Sequence, residues 1–150
     1  MKKLFSLCLI GLLAMSAMAQ NSVWVDLGLP SGTLWKDSNE DGYYAYDEAV
    51  RKFGSRLSTK AQFEELKDKC TWTWMGNGYK VTGPNGNSIT LPAAGYRSCY
   101  GDVYCVGTYG TYWSSTPYDS YYAWRLYFYS SDVDIYYYDC CYGQSVRLVQ

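Results

Sequence analysis

Histidine is absent from the 150 residues of this chain, and the formal net charge at neutral pH is only −1. The missing histidine excludes the Ser-His-Asp and Cys-His arrangements of nucleophilic catalysis. Together with the absence of a CxxC pair, it also argues against a zinc site. The low net charge argues against nucleic acid or an anionic membrane as partner, because both require a basic face. We therefore expect no cofactor.

Long apolar runs are scarce, and the clearest one, Leu4–Leu13, lies at the start of the chain. It follows the basic pair Lys2-Lys3 and precedes the small-x-small sequence Ala17-Met18-Ala19, an arrangement that predicts a signal peptide over residues 1–19. The run is too short to span a bilayer. We therefore expect an exported protein, secreted or held in the cell envelope, with no membrane insertion after signal removal. Residues 20–150 have the size of one domain.

Cysteines outside the signal are odd in number: Cys70, Cys99, Cys105, Cys140 and Cys141. Cys99 and Cys105 are close enough in sequence to close a small loop, whereas the adjacent pair Cys140-Cys141 cannot easily bond to itself. Cys70 is expected to be a buried thiol. In an oxidising compartment at least one thiol should remain free.

Tyrosine is concentrated in the second half of the chain. Fourteen of the eighteen tyrosines lie between Ala94 and Tyr142, a segment that contains no Lys, Glu, Gln, Met or Asn. Tyrosine with serine and glycine is typical of binding surfaces, because its ring gives a large rigid contact area with one polar tip. The alternative is an ordinary sheet that uses tyrosine for its strand propensity alone.

The same segment alternates as two strands, Ala123–Tyr129 and Val133–Tyr138, joined by Ser130-Ser131-Asp132. One face of these strands is apolar and should pack on a core. It comprises Trp124, Leu126, Phe128, Val133, Ile135 and Tyr137. The other face should be exposed and comprises Arg125, Tyr127, Tyr129, Asp134, Tyr136 and Tyr138. This pattern indicates a binding face of tyrosine, aspartate and arginine.

Two helices are predicted before the sheet. One spans Tyr46–Phe53 and ends at Gly54, with Ala49, Val50 and Phe53 on its apolar side. The other begins at Thr59 as a capping box with Gln62.

Shorter elements surround the helices. Strands are expected at Val23–Leu27, Thr33–Trp35 and Cys70–Trp74, and a hairpin joins Tyr79–Thr82 to Ser88–Leu91 through an Asn-Gly turn. The long Gly/Tyr-rich loop from Tyr96 to Gly110 is expected to have a functional role.

An acidic segment before the first helix matches the spacing of a calcium loop. Asp37, Asn39 and Asp41 precede Gly42, and Glu48 occupies the twelfth position. The segment that enters this loop contains Pro30 and Gly32 and does not form a helix. The alternative is an acidic loop placed favourably at a helix N-terminus.

The order of short motifs along the chain resembles the Fibrobacter succinogenes major paralogous domain family. The motifs are Val25-Asp26-Leu27-Gly28-Leu29, Ser31-Gly32-Thr33-Leu34-Trp35, Leu57–Leu66, Cys70–Trp74, Gly78–Gly86, Leu91–Tyr96, Tyr112–Thr116 and Gly143–Arg147. That family is similar to the C-type-lectin-fold variable proteins of diversity-generating retroelements and to formylglycine-generating-enzyme-like domains. The resemblance covers nearly all of residues 20–150.

The resemblance implies an α+β, C-type-lectin-like fold with two helices packed on a twisted antiparallel sheet. It places Trp113, Ser114, Ser145, Val146 and Arg147 in the scaffold. It also offers a cause for the composition, since retroelement mutagenesis of adenines in codons such as AAC can produce Tyr, Asp, Ser, Cys, Phe, Arg and Ile but not Lys, Glu, Gln or Met. Ordinary divergence within a duplicated family is the alternative.

Under this hypothesis the ligand-contacting residues occupy one loop, two strands and the segment after them. They are Tyr118, Asp119, Ser120, Tyr121, Arg125, Tyr127, Tyr129, Asp134, Tyr136, Tyr138, Asp139 and Tyr142. The expected partner is a cell-surface protein or a glycan. The alternatives are a structural cell-envelope or pilus-tip subunit, or a formylglycine-generating-enzyme-like catalyst that uses Cys140-Cys141. We expect the protein not to be an enzyme.

Overall fold

The computed structural model describes residues 23–150, which form ten β-strands and two α-helices. The strands are β1 (Trp24–Asp26), β2 (Leu34–Lys36), β3 (Thr71–Trp74), β4 (Gly78–Thr82), β5 (Ser88–Pro92), β6 (Tyr96–Arg97), β7 (Val103–Tyr104), β8 (Gly110–Pro117), β9 (Tyr122–Tyr129) and β10 (Asp132–Asp139). The helices are α1 (Tyr46–Phe53) and α2 (Lys60–Lys69). The expected signal peptide, residues 1–19, lies outside the described residues.

The expectation of an α+β, C-type-lectin-like fold with two helices on one twisted sheet is wrong. Of residues 23–150, 44% are in strands and bridges and 16% in α- and 3-10 helices, so the fold is mainly β. These strands form four small antiparallel sheets, ordered β1-β2, β3-β4-β5, β6-β7 and β10-β9-β8. The prediction failed because the two helices span only eight and ten residues, and because short strands paired within their own hairpins instead of extending one sheet.

Helix α1 has the predicted bounds, and helix α2 begins at the predicted capping residue. Helix α1 ends at Gly54, whose φ of +54° is favourable for glycine. Helix α2 is capped by Thr59, whose Oγ1 accepts a hydrogen bond from the Gln62 backbone N–H at 3.1 Å. Val50 is 38% exposed and was wrongly expected on the packed side of α1. Neither helix is long and apolar enough to cross a membrane, within the part of the chain described.

Two groups of buried side chains hold these elements together. One group includes Trp35, Phe63 and Leu126, and it fills the space between α2 and the sheets. The other includes Trp113 and Val146, and it lies between α1 and the last residues of the chain. All five residues that the family resemblance places in the scaffold are buried: Trp113, Ser114, Ser145, Val146 and Arg147.

The three-stranded sheet β10-β9-β8 carries the tyrosine-rich sequence, with β9 in the middle. A two-residue turn, Ser130-Ser131, joins β9 to β10, close to the predicted connection. Leu126 and Phe128 are buried on the face that packs on the core, as their alternation predicts. The sheet therefore presents one apolar face to the core and the opposite face to the candidate site.

The disulfide joins Cys99 to Cys141, so the small loop that Cys99 and Cys105 are close enough to close is not formed. Next to it, the backbone of Arg97 exchanges two 2.8 Å hydrogen bonds with Gly143, which brings the Cys99 and Cys141 Cα atoms to 5.1 Å. Cys105 instead lies just after β7 with a φ of +60°. Cys70, Cys105 and Cys140 are half-buried free thiols within residues 23–150, which agrees with the expected free cysteine.

A tyrosine-lined cavity on the C-terminal sheet

The register between β9 and β10 sets up the candidate site. Asp134 lies opposite Tyr127, and Tyr136 lies opposite Arg125. Because directly paired residues of antiparallel strands project to the same face, all four share the face turned away from Leu126 and Phe128. The alternation therefore predicted which residues share this face, but the expectation that the face is exposed is wrong for Arg125, which is buried.

A second wall comes from the loop between β5 and β8. The Tyr109 ring stacks on that of Tyr127, with centroids 5.5 Å apart and planes 29° from parallel. Tyr109 also contacts Tyr129 edge-on at 5.9 Å. Its carbonyl accepts a 2.7 Å hydrogen bond from the Gly95 N–H, which fixes the base of the loop. Aromatic contacts thus join the loop to the sheet face.

The disulfide and the β6-β7 hairpin hold this wall in place. Tyr96 in β6 pairs with Tyr104 in β7, and the rings are 5.9 Å apart. The Tyr96 ring also meets that of Tyr142 at 5.8 Å, directly after the disulfide-bonded Cys141. The loop is therefore anchored to the residues that follow β10.

Between the sheet and the loop lies a cavity of about 480 Å³ that is open to solvent. That volume is within the range of small-molecule sites, roughly 300–1,000 Å³. The lining combines five tyrosines with one threonine, one arginine and two aspartates: Tyr96, Tyr109, Thr111, Arg125, Tyr127, Asp132, Asp134, Tyr136 and Tyr138.

Arg125 lines this cavity although it is only 8% exposed. Its guanidinium carbon lies 3.8 Å from the centroid of the Tyr138 ring and 5.0 Å from that of Tyr127, which are cation–π distances. Burial lowers the pKa of Arg125 to about 10, so the group is charged at neutral pH. Its Nε has no hydrogen-bond partner among the described residues.

Two of the cavity tyrosines, Tyr127 and Tyr96, are neutral at physiological pH. Burial, together with the neighbouring Tyr109, raises the pKa of Tyr127 to about 12. Burial likewise raises the pKa of Tyr96. Each hydroxyl can therefore donate as well as accept a hydrogen bond.

Two carboxylates lie at the other end of the cavity from Arg125. Asp134 is more than half exposed, and its Oδ1 is 3.6 Å from the Lys67 Nζ and accepts a 2.8 Å hydrogen bond from the Ile135 N–H. Asp132 is exposed, opposite Tyr129 across the turn. Lys67 offsets part of the charge of Asp134, so Asp132 is the more available carboxylate.

The predicted loop residues lie apart from the cavity, in the turn between β8 and β9. Tyr118 packs on Trp124 and Tyr137, on the core-facing side of the sheet. The Asp119 Oδ1 accepts hydrogen bonds from the backbone N–H groups of Tyr121 (2.7 Å) and Tyr122 (2.9 Å), which closes the turn. Ser120 and Tyr121 are exposed there.

The remaining predicted residues, Tyr129, Asp139 and Tyr142, do not line the cavity. Tyr129 lines a neighbouring groove with Trp74 and Ser130. The Asp139 Oδ1 accepts a 3.0 Å hydrogen bond from the Cys141 N–H. Tyr142 packs edge-on against Tyr138 at 4.8 Å and supports the wall from behind. The cavity therefore gathers five of the twelve predicted residues: Arg125, Tyr127, Asp134, Tyr136 and Tyr138.

Four lining residues were not predicted from the sequence: Tyr96, Tyr109, Thr111 and Asp132. Tyr96 and Tyr109 belong to the long loop that was expected to have a function, so its length and tyrosine content were the available signal. Asp132 was assigned to the connection between the strands, whereas in the structure it is the first residue of β10. Thr111 gave no signal.

The calcium-like segment is used for internal contacts. The Asn39 Oδ1 accepts hydrogen bonds from Arg147 Nε (3.0 Å) and Nη2 (2.7 Å). The Glu48 carboxylate accepts a 3.3 Å hydrogen bond from the Ala45 N–H at the start of α1. Residues 23–150 contain no cluster of three or more His, Cys, Asp or Glu side chains that could hold a metal ion.

The adjacent cysteines have different roles. Cys141 is in the disulfide, whereas Cys140 is a half-buried thiol. Burial and the nearby Asp47 raise the pKa of Cys140 to about 11, so the thiol is protonated at neutral pH. A protonated thiol is a poor nucleophile.

Comparison with protein-family models matches residues 80–149 to a domain of unknown function, DUF8237. The matched segment begins in β4 and contains every residue that lines the cavity. Neither the curated proteins nor the solved structures contain a match to this chain.

Proposed function

We propose that this is an exported ligand-binding protein whose tyrosine-lined cavity holds part of a cell-surface protein or glycan. The observation that carries the proposal is the convergence of five tyrosines, from sheet and loop, on one open cavity. Tyrosine contributes large contact area and a hydrogen-bonding tip at a low entropic cost.

Preorganisation of the walls supports binding. The Tyr109–Tyr127 stack and the Cys99–Cys141 disulfide hold the loop against the sheet before a ligand arrives. A wall that is already ordered loses little conformational entropy on binding, which favours affinity. The binding residues on this proposal are those of the cavity.

Export is proposed from the sequence. Lys2-Lys3, the apolar run and Ala17-Met18-Ala19 form a signal-peptide pattern. A disulfide is compatible with an oxidising destination. The tyrosine bias is proposed to arise by retroelement diversification. Sequencing this gene across isolates tests that origin: substitutions confined to adenine-derived changes at the cavity codons support it, and substitutions spread evenly over residues 23–150 argue against it.

Binding of the mature chain, residues 20–150, to a glycan array and to intact cells tests the function. The test variant carries Tyr127→Ala and Tyr136→Ala, and the control carries Tyr100→Ala, a side chain 96% exposed and outside the cavity. We expect the test variant to lose binding and the control to retain it, with all three proteins melting cooperatively. Retained binding by a folded test variant contradicts the proposal.

A further inference from the structure

Two arginines are buried within residues 23–150, and only one of them donates hydrogen bonds to other groups in that part of the chain. Arg147 is fully buried and donates hydrogen bonds to the Asn39 side chain and to the carbonyls of Lys36 (3.0 Å) and Thr90 (2.6 Å). Arg125 is 8% exposed, and within residues 23–150 its Nε has no hydrogen-bond partner. None of the ion pairs described for those residues includes Arg125.

An unpaired, nearly buried guanidinium is unfavourable unless something compensates it. Removing a charge from water is unfavourable, and cation–π contacts offset only part of that free-energy cost. Arg125 is packed between Tyr127 and Tyr138, and all three side chains line the same cavity. The cavity is open, so either water or a ligand can accept hydrogen bonds from this group, and a ligand that brings its own anionic acceptor compensates the charge directly.

The chemistry of that acceptor follows from the guanidinium. Its planar fork of N–H donors matches the two oxygens of a carboxylate, which it binds with two parallel hydrogen bonds. The centroids of the Tyr127 and Tyr138 rings lie 5.0 and 3.8 Å from the guanidinium carbon, so the rings occupy part of the space around it. We infer that a ligand reaches the guanidinium at the edge that carries its N–H donors. A flat anionic group fits such an edge.

The opposite end of the cavity selects the rest of the ligand. Tyr136 is paired with Arg125, and Asp134 and Asp132 lie two and four residues before Tyr136 on β10. At a rise of about 3.3 Å per residue, these positions are about 7 and 13 Å from the level of Arg125. Carboxylates there repel a second negative charge and accept hydrogen bonds from hydroxyls.

We propose that the cavity binds an acidic sugar residue, such as a hexuronic or sialic acid, with its carboxylate on Arg125. The sugar ring lies against the tyrosine rings, and its hydroxyls donate to Asp132 and Asp134. This inference rests on the proposed ligand-binding function and adds the class of ligand. One negative charge at one end and several hydroxyls at the other match the charges of the cavity.

Titration calorimetry of the mature chain with three small probes tests the inference. The probes are methyl β-D-glucuronide, the methyl glycoside of N-acetylneuraminic acid and the neutral methyl β-D-glucoside. Pairing with a desolvated arginine predicts that one of the two acids binds about 100-fold more tightly than the glucoside. Sodium acetate separates the contribution of the carboxylate from that of the ring, and we expect it to bind more weakly than the acid sugar.

Substitutions at Arg125 provide the matched variants. Arg125→Met should abolish the preference for the acid, and Arg125→Lys should lower acid affinity about tenfold because it offers a point charge without the fork. Because Arg125 is unpaired, Arg125→Met should melt at the same temperature as the parent or higher. Arg51→Met removes an exposed helical charge outside the cavity and should change nothing.

The outcomes separate this inference from the proposed function. Equal affinity for the glucuronide, the sialoside and the glucoside, or acid binding that survives in Arg125→Met, overturns the acidic-sugar inference. Failure of every sugar probe to bind overturns it as well. In each case the proposed function is judged by the array and cell binding of the Tyr127 and Tyr136 variant, which depends on no particular probe.

Discussion

The Tyr118 ring stacks on that of Tyr137, with centroids 3.9 Å apart and planes 10° from parallel. Trp124 meets both rings edge-on at 5.5 and 5.6 Å, and Lys60 from helix α2 lies 3.9 Å above the Trp124 ring. This cluster is on the side of the sheet opposite Arg125. Tyrosines with similar sequence surroundings therefore divide into one set that packs and one set that lines the cavity.

Replacing Tyr118 should affect stability and leave ligand affinity unchanged. The loss of one aromatic stack predicts that Tyr118→Ala lowers the free energy of unfolding by about 1 kcal/mol. Tyr118→Phe keeps the ring and should match the parent. Urea denaturation followed by fluorescence measures the difference. If Tyr118→Ala loses binding as completely as the Tyr127 and Tyr136 variant, the turn belongs to the binding site.

Arg147 should be indispensable to folding, in contrast to Arg125. Arg147→Met leaves the Asn39 side chain and the carbonyls of Lys36 and Thr90 without their donor. Because unsatisfied buried polar groups cost about 1–3 kcal/mol each, we expect a loss of about 3 kcal/mol or more. The urea midpoint of Arg147→Met is compared with that of Arg125→Met. Equal midpoints contradict the different roles assigned to the two arginines.

The disulfide should stabilise both the fold and the cavity wall. Cys99 and Cys141 are separated by 42 positions, and a loop of that length corresponds to about 4 kcal/mol in the chain-entropy model. The Cys99→Ser, Cys141→Ser double variant should therefore unfold at lower urea and bind ligand more weakly.

Cys105→Ser is the control for the disulfide, because Cys105 is a free thiol just after β7. It should keep the urea midpoint of the parent. Peptide mapping under non-reducing conditions checks the pairing directly. Recovery of a Cys99–Cys105 peptide contradicts the structure.

Ionisation of Tyr112 should weaken the fold in alkali. Burial raises the pKa of Tyr112 to about 12, against lowering contributions from Arg147 and Asn39. The ordinary pKa of tyrosine is about 10, so the folded state binds the proton more tightly. This contribution to stability is complete below pH 10 and falls as the pH rises from 10 to 12, by up to about 3 kcal/mol.

Tyr112→Phe isolates the effect. The variant loses the hydrogen bonds to the Pro92 carbonyl (2.6 Å) and from Asn39 (3.0 Å), so it starts less stable at neutral pH. It cannot ionise, so its stability should fall less between pH 10 and 12. Denaturant melts at several pH values measure both slopes, and parallel curves for the two proteins contradict the prediction.

Local elements of this fold could be predicted from the sequence because their causes are local. Helix α1 has the predicted bounds, since Gly54 ends it, and Thr59 caps α2 as expected. The core side of β9 follows from alternation alone, because successive side chains point to opposite faces of a strand. Leu126 and Phe128 were correctly assigned by that rule.

The sequence determined the position of the tyrosines on β9 and β10 and the direction in which each strand presents them. Tertiary structure decided what covers them. Arg125 is buried, Tyr96 and Tyr109 line the same cavity, and Cys99 is bonded to Cys141. Each of these features depends on contacts between residues that are distant in the chain. Alternation reports the face of a residue but carries no information on which loop packs against that face. The division of the strands into four small sheets within residues 23–150 depended on the same long-range contacts.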